Sequence, residues 1–198
     1  MGAGYSEEEL KALLEKPKGD SYCEWRCWAI INWILATGNR EKTVCNVRMR
    51  DINLPDEEIV LQQTKNKKIQ IIPMSTELSF VLTQFIRDFR SEADDDEFLF
   101  CNVSGERLTE NALKLSIRDY NAARGVKKTS IHALRHTFAK LWIHNNGDVF
   151  RLQKMLGHST LDMTRNYVNL FAVDLKEGFD EYSPLDKMVR KRRKKHTI

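Results

Sequence analysis

The stretch DINLPDEEIVLQQTKNKKIQIIP, residues 51–73, decides the fold class, because here the apolar residues stop recurring at helical spacing. Asp51–Leu54, Glu58–Gln62 and Ile69–Ile72 read as three short strands, parted by Pro55-Asp56-Glu57 and by Lys65-Asn66-Lys67-Lys68. Such a run forms a small antiparallel meander. On its N-terminal side everything reads as helix. Ser6 with Glu9 makes a capping box for a helix to about Glu15, which Lys16-Pro17-Lys18-Gly19 breaks. Asp20 or Ser21 caps a long helix through Ala36, with Cys23, Cys27, Ile30, Ile31, Ile34 and Leu35 repeating along it, and a short helix restarts near Arg40. On the C-terminal side, Ser75 caps a helix striped by Leu78, Val81, Leu82, Phe85, Ile86 and Phe89. An acidic, solvated loop is expected over Glu92–Glu97, then helices near 109–123, 130–145, 148–156, 160–170 and 173–181. The chain is therefore expected to be mainly α with a small antiparallel β-sheet (α+β).

The 198 residues suffice for one well-cored domain, and 9 Gly and 4 Pro exclude a collagen-like or low-complexity chain. No apolar run reaches the ~18 residues of a membrane helix, and MGAGYSEEEL lacks the layout of a secretory signal. The four cysteines have no zinc-type spacing and read as reduced thiols in a core. Net charge is +4, but residues 187–198 contain seven basic residues and no acid. Without them, 25 basic residues face 28 acids, a net −3 for residues 1–186. A polyanion partner must then be held by a local patch, with the basic tail as an added handle.

Three segments carry candidate chemistry: Thr37-Gly38-Asn39-Arg40, His132-Ala133-Leu134-Arg135-His136, and Leu156-Gly157-His158 followed nine residues on by Tyr167. Taken singly, each has an ordinary reading: Arg40 as a surface charge, His158 as a helix-end cap, Tyr167 as one of five packing tyrosines. The pair His132 and His136 has metal-ligand spacing, yet position 133 is Ala where a metallohydrolase helix carries its general-base Glu. A lysine cluster in a hairpin turn (Lys65, Lys67, Lys68) is otherwise merely solubilising.

In this order and spacing, the three segments resemble the catalytic domain of the tyrosine recombinases, the phage-integrase family with its XerC/XerD-like integrases. The resemblance runs from about Ser6 to Asp186 and takes in the hairpin with Lys65 and the ending Ser183-Pro184-Leu185-Asp186. It implies a DNA-breaking and rejoining enzyme, a site-specific integrase of a phage or mobile element, working through a covalent 3′-phosphotyrosine. By the same resemblance Arg40 and Arg135 clamp the scissile phosphate. His132 donates a hydrogen bond to it or exchanges a proton with the nucleophile. Lys65 is the general acid for the leaving 5′-oxygen, His158 completes the phosphate cradle, and Tyr167 is the nucleophile. The residue types suit the chemistry: permanently charged guanidiniums offer paired donors to a phosphorane-like transition state that gathers negative charge.

The resemblance also implies double-stranded DNA as partner, a tetramer on DNA for a full-length protein, no cofactor and no metal, and the bacterial cytoplasm rather than a membrane as location. The expected domain plan is a catalytic domain over 1–186 and a disordered basic tail over 187–198. The family's N-terminal core-binding domain is expected to be absent, leaving half of a DNA clamp. The segment Val173–Tyr182 has the spacing of a terminal helix that packs in cis or docks on a neighbouring subunit. One departure is visible: family members commonly place an acid three residues after the first arginine, and here that position is Thr43. A type IB topoisomerase, a DNA-binding module of the same fold without turnover, and a zinc hydrolase are the competing readings.

Overall fold

The structure is a computed structural model that describes residues 4–63, 68–158, 164–165, 181, 183–185 and 188. Its elements are α1 (Glu7–Leu14), α2 (Tyr22–Thr37), α3 (Glu41–Asn46), a single 3-10 turn (Met49–Asp51), β1 (Ile52–Asn53), β2 (Glu58–Gln63), β3 (Lys68–Pro73), α4 (Thr76–Phe89), α5 (Glu110–Ala123), α6 (Ile131–His144) and α7 (Val149–Leu156). The α+β class is as expected. The helices expected near 160–170 and 173–181, the terminal segment Val173–Tyr182, the tail 187–198, Lys65 and Tyr167 lie wholly or almost wholly outside the described residues.

Capping chemistry sets the helix starts. In α1 the Ser6 N–H donates to the Glu9 carboxylate at 2.8 Å and the Glu9 N–H to Ser6 Oγ at 3.2 Å, a complete capping box. Ser21, rather than Asp20, caps α2, and Ser75, Thr109, Ser130 and Asp148 cap α4 to α7 in the same way.

Helix α2 departs from the one-sided stripe its spacing suggests. Trp25, Arg26, Cys27, Trp28, Ala29, Ile30, Ile31, Trp33 and Ile34 are all buried, because α1, α4, α5 and α6 pack around it. Two indoles are accommodated by giving their N–H groups loop carbonyls: Trp25 to Gly19 at 2.7 Å and Trp28 to Leu14 at 3.0 Å. The buried Arg26 donates to the Cys101 carbonyl at 2.7 Å and to Ser116 at 3.1 Å. Among the cysteines, which are unbridged, Cys27, Cys45 and Cys101 are in the core, but Cys23 is exposed. The thiol-in-core reading therefore holds for three of the four.

The sheet order is β1-β2-β3, antiparallel throughout, with Ile59 opposite Ile72 and Leu61 opposite Gln70. Ile59, Leu61 and Ile72 point into the core, while Ile69 and Ile71 alternate outward. Strand β1 is shorter than expected because Asp51 leaves it: its carboxylate accepts the Arg48 N–H at 2.8 Å and closes the 3-10 turn. The acidic loop is also more than a solvated connection. Arg90 reaches Glu97 at 2.9 Å, Arg50 pairs with Asp96, and the backbone N–H groups of Met49 and Arg50 donate to the carbonyls of Glu97 and Asp95. Opposite charges from the 3-10 turn and α4 thus fold this loop onto the body. No helix of the described residues is long and apolar enough to cross a membrane.

Gly38, which ends α2, has φ +65°, and a Cβ there meets Phe138 Cδ1 at 2.4 Å and Leu156 Cδ2 at 2.8 Å. Gly38→Ala is therefore expected to cost roughly 3 kcal/mol or more, combining left-handed strain with overpacking. Gly105→Ala, at φ +82° with nothing within 4 Å, is expected to cost only the strain, roughly 1 kcal/mol. Urea denaturation of both variants checks this; equal losses would contradict the packing argument.

Candidate active site

Three helix ends build the site. At the end of α2, Thr37 Oγ1 donates to the Trp33 carbonyl at 2.8 Å and accepts the Asn39 N–H at 3.2 Å, while Trp33 Nε1 donates to Asn39 Oδ1 at 3.0 Å. With Gly38 left-handed, this buried turn fixes the exit of the chain. It aims the Gly38 carbonyl inward and delivers Arg40, exposed, at the N-cap of α3. Thr43 leaves Arg40 without the acid expected three residues on, and the neighbouring Glu41 pairs instead with Lys114 at 3.1 Å.

Helix α6 supplies the centre. Arg135 is 5% exposed and donates from Nη1 to the Gly38 carbonyl and from Nη2 to the Leu156 carbonyl at 2.9 Å. Its Nη2 also lies 3.0 Å from His158 Nε2. Helix α7 ends at Gly157, again left-handed, and the His158 N–H returns to the Gln153 carbonyl at 3.1 Å, which places the imidazole beside Arg135. His158 Nδ1 sits 3.0 Å from the hydroxyl of Thr164, a fully buried residue. From the sheet, Gln70 Nε2 donates to the Lys154 carbonyl at 2.7 Å and to that of Met155 at 3.3 Å, tying β3 to the same helix end.

The electrostatics follow from this crowding of cations. Burial first, then the charges of Arg135 and Arg40, push the His158 pKa down to about 4. The imidazole is therefore neutral at pH 7, and the Arg40 charge acts on the same ring as that of Arg135. His136, half-buried, is likewise held below the ordinary histidine value by burial and then by His132 and Arg135. The His132 ring stands edge-on to it, with centroids 4.8 Å apart.

Of the six residues singled out in the sequence, the structure brings Arg135 and His158 into contact and sets Arg40 within electrostatic reach of them. His132 is exposed on α6, one turn before Arg135. Lys65 and Tyr167 fall outside the described residues. The supporting groups were not legible as such: the Gly38 and Leu156 carbonyls, Gln70 and Thr164. A glutamine at a core-facing register opposite Leu61 was the available signal for Gln70. For Thr164 there was only its place three residues before Tyr167.

The domain is helical with a three-stranded sheet at its edge, and it holds an arginine pinned between two helix ends beside a neutral histidine. Residues 5–173 match the model of the phage integrase family, and the chain belongs to that family. Among its relatives, tyrosine recombinase XerD of Chlamydia trachomatis is 29% identical over 189 residues, covering 91% of this chain and 62% of that protein. Tyrosine recombinase XerA of Pyrococcus furiosus is 29% identical over 187 residues, covering 93% and 63%. This chain thus spans about three fifths of the length of these curated relatives. A crystal structure of XerA recombinase superposes with a TM-score of 0.73 at 28% identity, covering 93% of this chain and 65% of that one. The XerH site-specific recombinase, solved bound to its difH substrate after cleavage, shares the fold with a TM-score of 0.71 at 24% identity over 91% and 53%.

A histidine kept neutral in the folded state makes stability depend on pH in a definite direction. His158 titrates near 4 when folded and near 6.5 when unfolded, so between those values the unfolded chain binds more protons. Stability is therefore full above pH 6.5 and falls as the pH drops toward 4, with His136 acting in the same sense. Urea midpoints measured from pH 7 to pH 5 should fall for the wild type and fall less for His158→Gln. Identical slopes would show that the His158 ring is not buried against Arg135.

Proposed function

We propose that this chain is the catalytic part of a site-specific recombinase that cleaves and rejoins double-stranded DNA, serving the integration or excision of a phage or other mobile element. The observation that carries the reading is the buried Arg135, fixed by two main-chain carbonyls and flanked by His158 and the charge of Arg40. Kinship with proteins named tyrosine recombinases supports it.

In this reading Arg40 and Arg135 hold the non-bridging oxygens of one DNA phosphate. The Tyr167 hydroxyl attacks phosphorus, forming a P–O bond to tyrosine as the bond to the 5′-oxygen breaks. His132 takes up the phenolic proton. Lys65 delivers a proton to the departing 5′-oxygen, which leaves as a hydroxyl rather than a costly alkoxide. Attack by a 5′-hydroxyl of another strand reverses each transfer and releases the tyrosine, so no energy source beyond the phosphodiester is consumed. Because the Arg135 guanidinium is fixed before charge develops, it stabilises the transition state more than the ground state. Residues 1–186 form the catalytic domain, and the basic tail 187–198 adds contact to the DNA backbone. The reading extends to assembly into tetramers on DNA.

Selection of covalent adducts from a pool of nicked duplexes of randomised sequence tests the reading, since loss of the short nicked strand traps the protein–DNA ester. The wild type should yield an adduct and Tyr167→Phe none. Arg135→Ala should slow adduct formation by about 100- to 1,000-fold, in line with removal of one fixed transition-state donor, while duplex binding falls far less. Duplex binding without any adduct would reduce the chain to a DNA-binding module and overturn the proposal.

A further inference from the structure

We propose that the Thr164 hydroxyl is a positioning group that lets the neutral His158 ring change roles, from acceptor for Arg135 to donor toward an oxygen of the scissile phosphate. The inference rests on the catalytic reading above and adds a residue to it.

The tautomer in the DNA-free site follows from hydrogen-bond bookkeeping. A guanidinium has donors and no acceptor, so His158 Nε2, 3.0 Å from Arg135 Nη2, must accept. In a neutral imidazole the proton is then on Nδ1, and Nδ1–H donates to Thr164 Oγ1 at 3.0 Å. This arrangement is right for a resting site and wrong for a loaded one. A phosphate oxygen only accepts, so once it takes up the donors of Arg135, the Nε2 lone pair would face a second lone pair. The ring has two ways to present an N–H there. In the DNA-free site protonation is disfavoured at neutral pH, because burial and two arginine charges hold the ring at a pKa of about 4, and burial still opposes it once DNA offsets those charges. The other way moves the single ring proton from Nδ1 to Nε2, with water as carrier and no net uptake, and requires a partner that then donates to Nδ1.

A hydroxyl meets that requirement because it carries one donor and two acceptor lone pairs and turns about its C–O bond. Thr164 accepts from Nδ1–H in the resting site and donates to the bare Nδ1 in the loaded one. Its residue is fully buried, so the hydroxyl is held against the half-buried ring. The hydroxyl also comes from the segment that carries Tyr167 three residues later, so the histidine is oriented by the same piece of chain that bears the nucleophile.

Two measurements on the full chain test this. Long-range proton–nitrogen spectra of the DNA-free protein, with His158 assigned by its loss in His158→Gln, should show the Nδ1–H tautomer in the wild type and in Thr164→Ser. Adduct formation on a duplex selected by the wild type should be nearly normal for Thr164→Ser and lower by about 10- to 100-fold for Thr164→Val, the usual range for losing the partner that orients a functional histidine. In a His158→Ala background Thr164→Val should change the rate by less than about twofold, since the hydroxyl then has no ring to serve. An Nε2–H tautomer in the free protein, a Thr164→Val chain that cleaves like the wild type, or an undiminished Thr164→Val loss on top of His158→Ala would each overturn the proposal. Absence of any wild-type adduct would instead defeat the catalytic reading, and with it the donor step, leaving the spectra to decide the resting tautomer on its own.

Discussion

A guanidinium cannot shed its proton, so burying Arg135 obliges the surrounding chain to provide acceptors. Two of them are the carbonyls of Gly38 and Leu156, at the C-terminal ends of α2 and α7. Helix C-termini are where carbonyls lack intrahelical partners and where the backbone dipoles leave partial negative charge. Arg135 thus meets the needs of three helices at once: its own charge is compensated, and two frayed ends are tied down. Both ends turn through a left-handed glycine, Gly38 and Gly157, which lets the chain leave each helix without obstructing the arginine. The interaction that joins α2, α6 and α7 also fixes the direction of the Arg135 charge.

In the function proposed, the same pin explains how a body with net negative charge in residues 1–186 receives a polyanion. The attraction is local. Burial, together with the charges of Arg135 and Arg40, keeps the His158 ring neutral at pH 7. A neutral imidazole among guanidiniums avoids mutual repulsion in the empty site, yet it retains a nitrogen for hydrogen bonding when an anion arrives. Gln70 adds a mechanical link, since its amide holds the last carbonyls of α7 to β3, the strand that follows the lysine-rich turn.

Much of the fold could be read from side-chain letters because the deciding signals are local. Ser6, Ser21, Ser75, Thr109, Ser130 and Asp148 cap helices where short polar residues precede apolar repeats. The hairpin followed from alternation between residues 58 and 73. What escaped was set by tertiary surroundings. Helix α2 is enclosed on all sides, which periodicity cannot distinguish from a stripe when tryptophans find distant loop carbonyls. The acidic loop looked merely solvated because one arginine partner, Arg50, lies far away in sequence, and the other, Arg90, stands just before the loop with nothing in the letters to pair it with Glu97. In the site, Arg40, His132, Arg135 and His158 were visible as residue types at family spacing. The carbonyls of Gly38 and Leu156 have no letter of their own, and Thr164 and Gln70 carry common ones.

In the function proposed, one buried arginine organises a pocket for a single DNA phosphate. A crystal structure of this chain with a selected duplex tests that most directly. It should show an oxygen of the scissile phosphate within about 2.7–3.1 Å of an Arg135 guanidinium nitrogen, with the Gly38 and Leu156 carbonyls still bound to the same group and Arg40 on that phosphate as well. A duplex seated elsewhere, or Arg135 and Arg40 bound to different phosphates, would contradict it.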